Sequence, residues 1–166
     1  MNQRRLTVGL AILTLAILVG GVAVVGRTSS QSSISASPEV NVEIPEVFHE
    51  WGTIPIDGPV VEKTFTIRNS GSDILKLSNV QTSCMCTEAQ VTIGNEQSPY
   101  FGMHGQSSWV GEVPPAQEAL LRVTFDPAYH GPTGVGQITR LVSLTTNDSD
   151  QPKIEFTLTA NVVKKS

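Results

Sequence analysis

Hydrophobic and polar residues alternate with a period of two along three stretches of the chain after residue 42. Such alternation is typical of β-strands that bury one face, and clusters of Gly, Pro, Asn and Asp separate the stretches as turns. No stretch after residue 40 has the period of an amphipathic helix. The pattern predicts an all-β fold, an immunoglobulin-like antiparallel β-sandwich of about six or seven short strands. The apolar positions that define it are Val61, Phe65, Ile67, Leu121, Val123, Phe125, Ile154, Phe156, Leu158, Ala160 and Val162.

The beginning of the chain has a different pattern. Arg4 and Arg5 precede an apolar run over residues 6–26 that carries no charge. About 20 apolar residues at 1.5 Å per residue match the ~30 Å hydrocarbon core of a bilayer. We therefore expect residues 1–27 to form a signal anchor, a transmembrane helix that contacts the membrane through residues 6–26; a cleaved secretory signal is the alternative. The paired arginines predict a cytoplasmic N-terminus and an extracytoplasmic C-terminal domain on a single-pass protein of the cell membrane.

Composition limits what the remaining chain can be. Residues 28–41 are rich in serine and are expected to be a flexible linker, which leaves residues 42–166 for one domain of ordinary size. The formal net charge is -4 and the basic residues are scattered, so no nucleic-acid binding is expected. The glycines at 131, 134 and 136 lack the strand-to-helix context of a phosphate-binding loop, so no nucleotide site is expected either.

The only two cysteines stand one residue apart, as Cys84-Met85-Cys86. A disulfide between them closes almost no loop and gains little from restricting the unfolded chain. In an extended strand their Cα atoms would be roughly 6.6 Å apart, at the long end of disulfide geometry, so such a bond would be strained and reducible. Two thiolates on one face also form half of a site for Cu(I) or Zn(II). The plain alternative is a small apolar pair, or an idle disulfide, at a strand end.

Two further ligand types follow in the chain at Met103 and His104. A thioether and an imidazole would complete a four-ligand metal site with Cys84 and Cys86, and this soft mixture suits copper better than magnesium or calcium. The alternative is a turn between Gly102 and Gly105 in which the methionine fills a gap and the histidine faces solvent. No other cofactor is expected from the sequence.

The stretch from about 91 to 119 is expected to be a long loop. Loops of this length in compact domains are functional or disordered. Its aromatic residues, Tyr100, Phe101 and Trp109, argue against disorder because they can pack the loop onto its own sandwich.

Five short motifs occur in order: Trp51-Gly52-Thr53-Ile54, Phe65-Thr66-Ile67-Arg68-Asn69-Ser70-Gly71, Thr82-Ser83-Cys84-Met85-Cys86-Thr87, Val123-Thr124-Phe125-Asp126-Pro127 and Thr146-Asn147-Asp148. Together they resemble the bacterial domain of unknown function 1573, which is similar in fold to the immunoglobulin-like domains of Hydin and the major sperm protein. The resemblance covers about residues 47–163 and implies an exported or membrane-tethered β-sandwich, with no established reaction. The chain departs from the family pattern at Met85, where members usually have glycine, and in the long insertion at 91–119.

No catalytic set is predicted. His49 beside Glu50 and His130 near Asp126 could be acid–base pairs, but no nucleophile or oxyanion donor accompanies them, so they are interpreted as strand-edge and turn residues. The sequence therefore predicts a non-enzymatic binding or scaffolding module of the cell envelope. Its partner would be an envelope protein, bound by a sheet edge or by the aromatic loop. The alternatives are an extracytoplasmic Cu(I)-binding protein and a thiol–disulfide redox module.

Overall fold

The computed structural model describes residues 34–104 and 107–164. The described part is two five-stranded sheets packed face to face, and residues 34–166 form one compact unit by themselves. The transmembrane helix predicted over residues 1–27 lies outside the described residues. Among the residues that are described, no helix is long and apolar enough to cross a membrane.

Residues 34–104 and 107–164 contain ten strands in succession, with one turn of 3-10 helix at Gly131–Thr133. The first sheet has the order β1-β3-β8-β5-β6, and the second has the order β2-β10-β9-β4-β7. The strands are β1 (Val42–Glu43), β2 (Phe48–Pro55), β3 (Val61–Asn69), β4 (Leu75–Thr82), β5 (Thr87–Ile93), β6 (Glu96–Gln97), β7 (Val110–Val113), β8 (Glu118–Phe125), β9 (Gly136–Thr146) and β10 (Lys153–Val163).

The predicted all-β sandwich is confirmed, with one correction to its pairing. Nine strands pair antiparallel, but β2 pairs parallel with β10 and forms an edge of the second sheet. The β2–β10 register shifts between Thr159 and Asn161, opposite Gly52, which has a φ of 72°. A glycine relieves the strain of this positive φ at the bulge, since a side chain is disfavoured in that conformation.

Alternating apolar residues meet between the two sheets. Phe65 on β3 and Phe156 on β10 are both buried, with ring centroids 4.7 Å apart. A second, smaller buried cluster lies at one end of the sandwich and includes Cys86, Phe125 and Val162. Every apolar position that defined the predicted strands is buried except Val61, which is half-buried.

Two predicted irregular segments are more ordered than expected. The stretch 91–119 contains the end of β5, all of β6 and β7 and the start of β8, and the longest connection between these strands is the one from β6 to β7. Phe101 is buried there and its ring lies 5.4 Å from that of Trp109, as the packing interpretation predicted, whereas Tyr100 is exposed. In the predicted linker, Ser37 bridges to Asp148 and Val40 is buried, so the domain begins before residue 42.

Candidate functional site: the cysteine end of the sandwich

Two loops meet at one end of the sandwich, which we call the cysteine end. They are the β4–β5 turn, residues 83–86, and the β8–β9 loop, residues 126–135. The Asp126 backbone N–H donates to the Cys86 carbonyl at 3.0 Å and joins the two loops. The chain enters the domain at the opposite end, where Ser37 pairs with the β9–β10 turn.

The β4–β5 turn is held by backbone and hydroxyl hydrogen bonds. The Thr82 hydroxyl is placed 3.0 Å from the carbonyl oxygens of both Cys84 and Thr87. The Thr87 backbone N–H donates to the Cys84 carbonyl at 3.2 Å, and the Ser83 N–H donates to Leu141 on β9 at 2.9 Å. These bonds make the cysteine segment a tight turn rather than the extended strand considered from the sequence.

Cys84 and Cys86 are joined by a disulfide. The turn brings their Cα atoms to 5.2 Å, shorter than the separation expected for an extended strand and well within the usual range for a disulfide. Met85 is 52% exposed between them, while Cys86 is only 4% exposed and Cys84 is partly buried. Cys86 therefore carries the inner sulfur of the bond, within the apolar cluster, and Cys84 carries the outer sulfur, nearer to solvent.

His130 lies against the outer sulfur. Its Nε2 is 3.4 Å from Cys84 Sγ, and its ring packs edge to face with Tyr129 at a centroid distance of 5.3 Å. The backbone turns on both sides of His130. Before it, the Asp126 carboxylate accepts from the Ala128 N–H at 2.9 Å, and after it, Gly131 has a φ of 62°. The histidine interpreted from the sequence as a turn residue is thus in a turn and also in contact with a cysteine.

Arg140 lies against the inner sulfur. It belongs to β9, and its Nε–H donates to Cys86 Sγ at 3.1 Å. The guanidinium is fixed by a second donated bond to the Thr139 carbonyl at 2.9 Å and by the Phe125 ring, whose centroid is 5.3 Å away. Burial lowers the pKa of Arg140 from its ordinary value because desolvation disfavours the charged form.

No carboxylate forms an ion pair with Arg140 among the residues that the structure describes. By contrast, Arg122 on β8 has Glu62 at 3.7 Å. A partly buried cation without an anion is unusual, because removing a charge from water is unfavourable unless an opposite charge compensates it. The Arg140 Nε–H instead donates to the Cys86 sulfur, which stands where a carboxylate would stand in an ion pair.

The cysteine pair and His130 also form the group of metal-ligand atoms at this end. Cys84, Cys86 and His130 each offer one ligand atom, and these atoms lie within 4.8 Å of one another. The metal ligands predicted from the sequence were Cys84 and Cys86 with Met103 and His104. The Met103 carbonyl accepts from Gln81 at 3.0 Å, and its residue lines a shallow cavity with Ser83 and Leu141, while His104 is exposed. That four-ligand set stays a prediction.

Sequence reasoning missed Arg140 and interpreted His130 only as a turn residue, because they stand 54 and 46 residues from their cysteine partners. No neighbour of either residue in the chain indicates contact with a cysteine, and the strand pattern gives no register. Only the antiparallel pairing of β9 with β10 and with β4 places Arg140 at the turn that contains the cysteines.

Comparison with known proteins supports the predicted family and fold. Residues 42–98 match the model of the family described as protein of unknown function (DUF1573). A search of the curated proteins found no match.

Three solved structures are similar to this chain at low sequence identity, and the first of them has a TM-score that indicates the same fold. A protein of unknown function from Porphyromonas gingivalis W83 is 21% identical with a TM-score of 0.57, covering 80% of this chain and 51% of that one. This chain therefore spans about half the length of that protein. The PapD-like domain 7 of human CEP192 is 16% identical over 84% of this chain and 97% of that domain, with a TM-score of 0.48. A family 123 glycoside hydrolase from Clostridium perfringens is 10% identical over 76% of this chain and 28% of that enzyme, with a TM-score of 0.49.

The family match begins at β1 and includes the strands on both sides of the cysteine turn. The sandwich that these strands build is the fold that the resemblance implied. Over residues 42–98 this chain is therefore similar to the DUF1573 family.

Proposed function

We propose that this chain is a binding or scaffolding module of the cell envelope rather than an enzyme, anchored in the membrane through residues 6–26 with its domain outside. The observation that carries the proposal is the apolar surface of the cysteine end. Met85 is 52% exposed, and Tyr129 and Val135 on the facing loop are 46% and 42% exposed. Exposed apolar side chains gathered on meeting loops are typical of a surface that binds another macromolecule.

A shallow cavity adjoins this surface. Its volume is about 430 Å³, and Ile56, Ala128 and Pro132 contribute to its lining. Asp57 and Lys164 also line it and supply one charge of each sign. A lining that is mainly apolar with a few polar groups suits an apolar side chain of a partner polypeptide, because such a side chain buries its surface while the charged groups can bond to the partner's polar groups.

The aromatic loop, which the sequence predicted as a contact surface, makes several of its contacts within the domain. Phe101 and Trp109 pack onto the sandwich, and the hydroxyl of Tyr100 accepts from Arg122 at 3.0 Å. We therefore place the partner, an apolar segment of an envelope protein, at the cysteine end.

Site-specific photo-crosslinking in a bacterial host tests this placement. A photoreactive phenylalanine analogue replaces Met85 or Tyr129 in the full chain, and Tyr100 serves as a matched control because it is an exposed aromatic residue outside the cysteine end. We expect a discrete adduct from positions 85 and 129, reduced several-fold by Val135→Asp, and none from position 100. Equal labelling from all three positions, or none from 85 and 129, contradicts the proposal.

A second candidate function is Cu(I) binding, favoured by the three ligand atoms at Cys84, Cys86 and His130. Two thiolates and an imidazole suit a soft cation. Because the cysteines form a disulfide in this structure, the site becomes a metal site only after reduction.

A Cu(I) titration of the reduced chain against a chromogenic chelator tests this candidate. We expect one equivalent of copper to be withdrawn from the chelator and this withdrawal to be lost in Cys84→Ala/Cys86→Ala. Comparing His130→Ala with His104→Ala identifies the third ligand. Chelator colour unchanged by the reduced wild-type chain excludes the candidate.

A further inference from the structure

The contacts around the disulfide differ between its two sulfurs. Cys86 lies in the apolar cluster, 4% exposed, and its sulfur accepts a hydrogen bond from the Arg140 guanidinium at 3.1 Å. Cys84 lies nearer to solvent, and its sulfur is 3.4 Å from His130 Nε2. An incoming group reaches Cys84 more easily than Cys86, and a negative charge is better stabilised on Cys86 than on Cys84.

Arg140 gives the clearer signal of the two. It is a partly buried cation that lacks an ion-pair partner among the described residues, and its side chain is fixed on the Phe125 ring. A neutral disulfide sulfur is a weak acceptor, but a thiolate is an anion that would supply the missing counter-charge. The site is therefore better matched to the reduced form of Cys86 than to the oxidised form that it holds.

We propose that Cys84–Cys86 is a thiol–disulfide exchange site that oxidises a dithiol, in which Cys84 is the sulfur attacked and Cys86 is the leaving thiolate stabilised by Arg140. This chemistry goes beyond binding and does not depend on the partner surface. It is stoichiometric for one chain, since the disulfide itself is the oxidant and is consumed.

The exchange balances in two steps. A thiolate of the substrate attacks Cys84 Sγ; a substrate–Cys84 disulfide forms, the Cys84–Cys86 bond breaks and Cys86 leaves as a thiolate beside Arg140. The second thiol of the same substrate then attacks its own sulfur in the mixed disulfide, and Cys84 is released. The substrate loses two electrons and becomes a disulfide, and the two cysteines gain them.

His130 handles the proton of the second step. The second substrate thiol must lose a proton before it attacks, and the departing Cys84 sulfur gains one. The imidazole Nε2 lies 3.4 Å from that sulfur. It is placed to accept the proton of the second substrate thiol and to donate it to Cys84 Sγ. The proton of the first attacking thiol goes to solvent, because Cys86 remains a thiolate.

Reduction equilibria of the full chain in detergent micelles test the role of Arg140. The disulfide is equilibrated with mixtures of reduced and oxidised dithiothreitol, and the free thiols are counted after alkylation and mass determination. A charge-assisted hydrogen bond to a thiolate is worth about tenfold or more in the equilibrium constant. We expect Arg140→Gln to shift the equilibrium about tenfold towards the disulfide and Arg140→Lys to recover part of that shift. Arg122→Gln, which removes a guanidinium far from the sulfurs, should leave it unchanged.

Trapping the first mixed disulfide tests which sulfur is attacked. The native disulfide is reacted briefly with reduced glutathione, quenched with acid and alkylated, and peptide fragmentation is expected to place glutathione on Cys84 and the alkyl group on Cys86 at least tenfold more often than the reverse. Equal labelling of the two cysteines by glutathione overturns the assigned order. Failure of excess dithiothreitol to reduce the native disulfide, or equal shifts in Arg140→Gln and Arg122→Gln, overturns the exchange site itself, whichever of the variants folds.

A reduced two-cysteine peptide distinguishes the sources of the dithiol. Faster reaction with this peptide than with dithiothreitol, lost in Val135→Asp, identifies a polypeptide substrate and joins the exchange to the proposed binding surface. Equal rates identify a small dithiol and still support the exchange. Because dithiothreitol needs no docking surface, failure of the crosslinking experiment and failure of the exchange experiment are separate results.

Discussion

Replacing Asp148 with alanine is expected to destabilise the domain, because its buried carboxylate holds three backbone N–H groups. Asp148 is 2% exposed in the β9–β10 turn. One carboxylate oxygen accepts from the Val42 backbone N–H at 2.9 Å, and the other accepts from the N–H groups of Asp150 at 2.7 Å and Gln151 at 3.2 Å. The side chain therefore closes its own turn and also fastens β1, which lies 106 residues away in the chain.

The magnitude follows from what each donor loses. The Val42 N–H belongs to a residue that is 3% exposed, and a buried donor left without an acceptor costs about 1–3 kcal/mol. The two turn donors are only part-buried, so water replaces much of each bond and each contributes about 0.5–1 kcal/mol. Together these losses lower the free energy of unfolding by about 3 kcal/mol. For a domain of this size the melting temperature falls by roughly 10 °C.

Urea unfolding of residues 34–166, followed by the fluorescence of Trp51 and Trp109, measures this loss. Both tryptophans pack against the main buried cluster, so their emission reports the whole domain. Asp150→Ala is the matched control, because Asp150 is an exposed aspartate two residues away whose side chain makes no hydrogen bond in the described structure. A change below about 0.5 kcal/mol in Asp148→Ala, or an equal loss in Asp150→Ala, refutes the reasoning.

Three further changes test other parts of the domain. Phe156→Ala empties a fully buried site and is expected to lower the free energy of unfolding by about 3–5 kcal/mol in the same urea assay; an unchanged midpoint contradicts the assigned core. Gly71→Ala places a methyl group against the backbone of Glu39, so we expect a loss of about 1–3 kcal/mol in thermal melts, and a wild-type melting temperature contradicts that contact. The pKa of Asp73 lies below its ordinary value of 3.8, chiefly because the Ile74 N–H donates to the carboxylate. The ionised form of Asp73 therefore stabilises the fold above about pH 4, and this stabilisation is lost as the pH falls through the lowered pKa. Asp73→Asn should therefore be less stable than wild type at pH 7, by a difference that narrows as the pH falls below about 4, and a difference that stays constant with pH refutes the linkage.

Much of the fold follows from the sequence because the burial pattern has a short period. Alternation at Phe65 and Ile67, and again from Ile154 onward, fixes which faces turn inward whatever the order of the strands in a sheet. Pairing partners have no such local signal. The parallel contact of β2 with β10 joins residues about 109 positions apart, as with Thr157 and Phe48, so the sequence alone predicted an entirely antiparallel sandwich.

The candidate site also has one part that the sequence shows and one part that only the folded structure shows. Its cysteines were found at once, because two sulfurs one residue apart are conspicuous in any sequence. The residues that tune those sulfurs were not found, because Arg140 is one member of a regular strand and His130 one member of a polar loop. Chemistry that depends on contacts between strands requires the register of those strands, which comes from the packed sandwich.

Two contacts at the cysteine end differ from the other side-chain bonds at the ends of the sandwich, and this contrast supports a functional role for them. At the end where the chain enters, Asn69, Asn147 and Asp148 are buried and bond to backbone groups of neighbouring strands. Such bonds are structural, since they satisfy donors and acceptors that water cannot reach. Thr82 and Asp126 make bonds of the same kind at the cysteine end. Arg140 and His130, however, contact sulfur atoms there, and a disulfide requires neither a cation nor an imidazole for its stability. Structural demands therefore do not account for these two contacts, whereas a thiolate at Cys86 and a proton acceptor beside Cys84 account for both.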